Sequence, residues 1–119
     1  ASLGLITTIE NWRETSIYPD DLLAIMREVD RPLNLCVDFG NAEKTDDKQA
    51  TLKALLPHGT SIHCKGHFQD GELDTEEFKQ SLALAKEANF DGHITLIGDG
   101  IEDEWVKILK LKQALQEAW

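Results

Sequence analysis

Leu33-Asn34-Leu35-Cys36-Val37-Asp38 reads as a buried strand that ends on an acid, and Phe39-Gly40-Asn41 turns the chain directly after it. Three further runs resemble it at roughly 30-residue intervals: Gly4–Glu10, Ser61–Lys65 and His93–Ile97. The first three deliver Glu10, Asp38 and His63 at or near their C-terminal tips; the fourth delivers Ile97. Side chains alternate across a strand, so parity sorts these residues onto two faces. One parity holds Ile9, Val37, Ile62, Cys64 and Leu96 and is aliphatic almost throughout. The other holds Thr8, Cys36, Ser61 and Thr95, with the two acids and the imidazole at its rim.

The segments between the runs predict helices. Pro19 opens the first at a position that needs no N–H, followed by Asp20 and Asp21 and the stripe Leu22, Ile25, Met26, Val29. Thr45 is expected to cap the second, with Leu52, Leu55 and Leu56 inward. Asp74 and Glu77 form a capping-box pattern for the third, whose buried face is Phe78, Leu82 and Ala85. Glu102, Asp103 and Glu104 start the last, with Trp105, Ile108, Leu109, Lys112 and Leu115 as its stripe. Asn11–Tyr18 and Gly66–Leu73 read as loops, and Gly40 as the residue that permits a tight turn.

Strand and helix thus alternate four times, the pattern of an α/β fold with a parallel sheet and right-handed crossovers. A flat sheet wound on both sides would need apolar residues on both faces. The polar parity favours a curved sheet instead: four βα units, half of a (βα)8 TIM barrel, in one domain over residues 1–119. Sites in such folds lie at the C-terminal strand ends.

Bulk properties narrow the function. A chain of 119 residues with 41% hydrophobic and 29% charged residues suits a single globular domain. A formal net charge of −10 repels phosphate backbones and anionic bilayers, so neither nucleic acid nor membrane is an expected partner. Cys36 and Cys64 have opposite parity and are expected to stay reduced, as in a cytoplasmic protein. No signal peptide or membrane span is legible. Ala1-Ser2-Leu3 reads as a cut edge rather than a natural start.

Five motifs in order resemble the xylose isomerase-like barrel superfamily, which holds sugar phosphate isomerases/epimerases and relatives of AP endonuclease family 2. They are Ile9-Glu10-Asn11-Trp12, Leu35-Cys36-Val37-Asp38-Phe39-Gly40-Asn41, Ile62-His63-Cys64-Lys65, Gly71-Glu72-Leu73-Asp74 and Asp91-Gly92-His93-Ile94-Thr95-Leu96. The resemblance covers the C-terminal half of that fold, strands five to eight. It implies a divalent metal held by Glu, Asp, His and Glu at successive strand ends, with the two glutamates moving a proton beside a sugar carbonyl. Glu10, Asp38 and His63 match three of these positions, and Ile97 departs from the fourth. Trp12 and Asn41 each stand where the family has a histidine.

The expected metal ligands are therefore Glu10, Asp38 and His63, with Asp99 as a substitute for the missing acid and Mn, Mg, Co or Zn as the cofactor. A remnant cluster, hydrogen-bonded internally and to Lys65, is the plain alternative. Glu10 and Lys65 are the expected catalytic pair. Trp12, Asn41 and His67 are the expected contacts to a sugar or sugar phosphate, although packing suits Trp12 and solvent exposure suits His67. His58, His93 and Trp105 read as structural. The expected protein is sugar isomerase- or epimerase-like, completed by a second copy or a complementary half-barrel chain. The alternative is a non-catalytic half-barrel scaffold that self-associates; a nuclease ranks below both.

Overall fold

The computed structural model describes residues 3–100 and 103–119. Strand β1 (Thr7–Glu10) leads through a short helix α1 (Arg13–Ser16) to α2 (Pro19–Glu28). Strand β2 (Leu33–Asp38) runs directly into a one-turn helix α3 (Phe39–Ala42), followed by α4 (Lys48–Leu55) and a 3₁₀ turn at Leu56–His58. After β3 (Ser61–Cys64) comes a small hairpin, β4 (Phe68–Gln69) and β5 (Glu72–Leu73), then α5 (Thr75–Glu87), β6 (His93–Leu96) and α6 (Glu104–Ala118). The main sheet has four parallel strands in the order β1-β2-β3-β6.

Each crossover steps to the neighbouring strand in the same direction, and right-handed crossovers then carry the helices to one face. The core agrees. Leu35, Val37, Ile62 and Cys64 of the aliphatic parity are fully buried, in one cluster with Leu22, Phe39, Leu52, Leu55, Phe78, Leu82 and Leu111 from the helical side. On the opposite face Thr8, His93 and Thr95 are exposed. His93 is therefore a surface residue, as is His58, and neither is the structural histidine expected.

Several local expectations are corrected. β1 begins at Thr7, not Gly4, because its partner begins at Leu33, opposite Thr7. Pro32, just before Leu33, has no N–H to extend the ladder, and Leu5 and Ile6 stay exposed. The turn of α2 buries Leu22 and, in part, Leu23 and Met26, while Ile25 and Val29 remain exposed. Asp47, not Thr45, caps α4, its side chain accepting from the Ala50 N–H at 2.9 Å; the Thr45 hydroxyl donates to the Ala42 carbonyl instead. Asp74 caps α5 as expected, accepting from the Glu77 N–H at 3.0 Å. The Glu77 carboxylate, however, takes the Ser81 hydroxyl and Lys48 rather than returning to the cap.

The inward stripe of α6 is Lys107, Leu111 and Ala114, and Trp105 is 70% exposed instead of core. Asp103 precedes that helix with φ 61 and no side-chain cap bond; the expected role of Glu102 lies outside the described residues. No helix among the described residues is long and apolar enough to cross a membrane.

Candidate functional site

The site is built by register. Pairing puts Glu10, Cys36, Ser61 and His93 in one row across the sheet and Asp38, His63 and Thr95 in the next. All share the polar parity, so two adjacent rows meet at the C-terminal ends of β1, β2 and β3.

Asp38 is the fixed point of this corner. It is fully buried, and Asn11, also fully buried, clamps its backbone. The Asp38 N–H donates to Asn11 Oδ1 at 2.7 Å, and Asn11 Nδ2 donates to the Asp38 carbonyl at 3.0 Å. The carboxylate is engaged on both oxygens. Oδ1 accepts from the Asn41 N–H at 2.8 Å, which caps α3, and Oδ2 accepts from Lys65 Nζ at 2.8 Å. Gly40 is needed for the last contact, but not for the shape of its turn: a Cβ there would stand 2.7 Å from Lys65 Cδ. The lysine stem crosses α3 where only glycine leaves room.

Glu10 and His63 complete the cluster. Asn41 Nδ2 donates to Glu10 Oε1 at 2.9 Å. His63 Nδ1 lies 3.5 Å from both Glu10 Oε2 and Asp38 Oδ2. The main chain at Glu10 is anchored by the buried Ser16 hydroxyl, which donates to its carbonyl at 3.0 Å. Sequence therefore brought together Glu10, Asp38, His63, Lys65 and Asn41. It missed Asn11 and Cys36, although Cys36 stands beside Glu10 by register and the parity rule alone places it on the site's face.

The remaining expected residues lie elsewhere. Lys107 Nζ holds both carboxylate oxygens of Asp99, at 2.9 and 2.7 Å, so this acid is committed to α6 instead of serving as a replacement ligand. Ile97 extends β6, its N–H donating to the Cys64 carbonyl at 3.2 Å, and brings no donor atom to a metal. His67 is exposed, 3.9 Å from Glu43. Trp12 is 44% exposed rather than packed. The Arg13 guanidinium and Lys44 Nζ lie 5.3 and 5.7 Å from its ring centre, within cation–π range. A cavity of about 630 Å³ opens there, lined by Arg13, Glu14, Thr15, Ile17, Tyr18 and Lys44. Lys44 also reaches Asn41 Oδ1 at 3.4 Å, which links this cavity to the Glu10 cluster.

Burial pushes the Glu10 carboxyl above the usual carboxylate range. Asp38 beside it pushes the same way, by hydrogen bonding and by repulsion, while His63 and Lys65 pull back without prevailing. Burial likewise raises the Cys36 thiol, against the opposing bond from Ser61, and drives the Cys64 thiol up to about 12. Cys64 is an inert core thiol.

A raised folded-state pKa means that the folded protein holds the Glu10 proton more tightly than the unfolded chain does. Stability is then lost as pH rises from the ordinary glutamate range through the raised value. Glu10→Gln removes that loss. In urea unfolding of the metal-free protein, we expect the variant to gain on the parent between acid and neutral pH; a variant that loses ground over that interval would contradict the assignment.

The donor set fits a divalent cation. Two neighbouring carboxylates, an imidazole and a thiol converge at one sheet corner, and a positive charge there relieves the repulsion that Asp38 exerts on Glu10.

No protein-family model and no curated protein matches this chain.

Proposed function

We propose that the chain is half of a (βα)8 barrel of the xylose isomerase-like kind, and that it moves a proton beside the carbonyl of a sugar or sugar phosphate. The observation that carries this reading is the convergence of Glu10, Asp38 and His63, with His63 Nδ1 3.5 Å from both carboxylates. Glu10, Asp38 and His63 would hold a divalent cation, which supplies polarisation of the substrate carbonyl.

The chain's own residues do the rest. Glu10, partly exposed at its strand end, is the carboxylate placed to take a proton from the carbon beside the carbonyl and to give it back. Asn41 holds one Glu10 oxygen and so aims the other. Lys65 neutralises Asp38 and presents remaining N–H donors to a substrate oxygen. Arg13 and Lys44, which lie over the exposed Trp12 ring, are cations suited to a phosphate.

With Ile97 at the fourth strand end, Glu10 must act alone. One carboxyl returns the proton to the face from which it took it, so transfer between neighbouring carbons, an aldose–ketose isomerisation, is favoured over inversion at one carbon.

A second copy completes the barrel. The polar sheet face is open, and exposed apolar side chains flank both edge strands: Leu5 and Ile6 beside β1, and Trp105, Val106 and Leu109 on α6 beside β6. Two-fold closure would pair β1 of each copy with β6 of the other. The second reading, a half-barrel scaffold without chemistry, is favoured by Ile97 and by the commitment of Asp99 to Lys107.

Native mass spectrometry with and without manganese or zinc separates the two. Isomerase function predicts a dimer carrying one ion per subunit, with affinity at least about 10-fold weaker in Glu10→Gln. A species that stays metal-free under every condition would overturn it.

A further inference from the structure

We propose that Cys36 is a metal ligand, and that the cation bound here is of the zinc or cobalt class, held by Glu10, Cys36 and His63. This rests on the reading that the cluster binds a divalent cation, and it changes which atoms do so.

One ligand atom from each of Glu10, Cys36 and His63 lies within 4.8 Å of the other two. Around a tetrahedral zinc, with bonds of roughly 2.0–2.3 Å, neighbouring donors stand roughly 3.3–3.8 Å apart. Drawing the three donors from within 4.8 Å to that spacing takes movements of about 1 Å, within reach of rotations about the side-chain bonds of Glu10, Cys36 and His63. Three strands supply the three donors, and β-ladder register fixes their spacing: Glu10 and Cys36 are direct partners on β1 and β2, and His63 is one step along β3.

Asp38 is the least free member of the cluster. Both its oxygens and both its backbone polar groups are already bonded, to Asn41, Lys65 and Asn11. Recruiting it as a ligand would uncouple Lys65 from its only buried carboxylate partner among the described contacts. Left where it is, Asp38 stays the outer carboxylate of the site, facing His63 at 3.5 Å.

A sulfur donor changes the selectivity. Oxygen-only sites suit magnesium and manganese, whereas a set of one carboxylate, one imidazole and one thiolate suits zinc and cobalt. The metal–sulfur bond forms as the S–H bond breaks; one proton leaves to solvent per ion bound, and no electron is transferred. Three protein ligands leave a position open for a substrate oxygen.

Cobalt(II) titration of the full chain tests the assignment, because a thiolate ligand produces an intense sulfur-to-cobalt charge-transfer band in the near ultraviolet and oxygen and nitrogen donors do not. The band should appear with one ion per chain and vanish in Cys36→Ser, which keeps Cys64 and binds cobalt at least about 10-fold more weakly. Cobalt bound without the band would overturn the Cys36 assignment and leave the metal reading standing. No cobalt bound would overturn both. X-ray absorption at the cobalt edge of the parent guards against a misfolded variant: one sulfur neighbour at about 2.3 Å should appear, and a first shell of oxygen and nitrogen alone would also overturn the proposal.

Discussion

Asp38→Ala should lower the free energy of unfolding by about 3–5 kcal/mol, the range expected when one partner of a buried ion pair is removed. The side chain is fully buried, and its deletion abandons two donors at once: Lys65 Nζ and the Asn41 N–H. Lys65 is 29% exposed at its side chain and can turn toward water, which limits its share of the loss. The Asn41 N–H belongs to the first turn of α3 and loses its cap, worth about 1 kcal/mol. Two further variants separate these contributions in urea unfolding. Asp38→Asn keeps an acceptor for the cap but loses the charge and the acceptor for Lys65, so it should fall between the parent and Asp38→Ala. Lys65→Met placed on Asp38→Ala should recover part of the loss, because no charge is then left without its partner. A loss below about 1 kcal/mol in Asp38→Ala would show that the pair is solvated and that the corner is not held as described.

The contrast between Asp38 and Glu10 separates what builds the corner from what it is for. Asp38 is bonded on every polar atom and its removal is costly. Glu10 sits beside a like charge that burial aggravates, and its neutralisation is expected to help the metal-free fold. A group held at an electrostatic cost to folding is a candidate functional position.

That contrast was only partly legible in the sequence. Strand ends and parity are local properties, so Glu10, Asp38, His63 and Lys65 could be placed on one rim from spacing alone. The Asn11 clamp joins residues 27 positions apart and exists only once β1 lies against β2. Cys36 went unnoticed as a donor because a strand-interior cysteine reads as packing until its register with Glu10 is known. The β4–β5 hairpin was announced by Asp70-Gly71, whose φ values of 50 and 78 belong to the turn that this dipeptide favours; two-residue strands simply give too little alternation to read. Helix α6 failed for a different reason. Its apolar residues surround the helix, so periodicity offered several stripes. The one chosen by the fold runs through Lys107, whose ammonium finds Asp99 and lies 5.6 Å from the Phe68 ring centre. Long-range partners, not local pattern, decided that face.

Gly92→Ala should cost about 3 kcal/mol, the upper part of the range for overpacking, although its backbone is one that any residue can adopt. The cause is close approach. A Cβ at Gly92 would stand 2.2 Å from the Thr60 carbonyl oxygen, 2.8 Å from its carbonyl carbon and 2.7 Å from Phe90 Cζ. Backbone cannot swing aside as a side chain does, and Thr60 is itself pinned: its N–H and its hydroxyl both donate to the Leu35 carbonyl, at 2.8 and 3.1 Å. The new methyl must therefore push β6 away from β3 at the Ser61–His93 end of their ladder, where Gly92 leads into the strand. Gly71→Ala is the informative comparison. It has a φ of +78 and nothing within 4 Å of the added carbon, so its cost is conformational alone, about 1 kcal/mol. Urea midpoints with unchanged slopes give both values. If Gly92→Ala proved no more costly than Gly71→Ala, the β3 and β6 strands would have to be able to separate at that end. The register that sets His93 opposite Ser61, in one row with Glu10 and Cys36, would then lose its support.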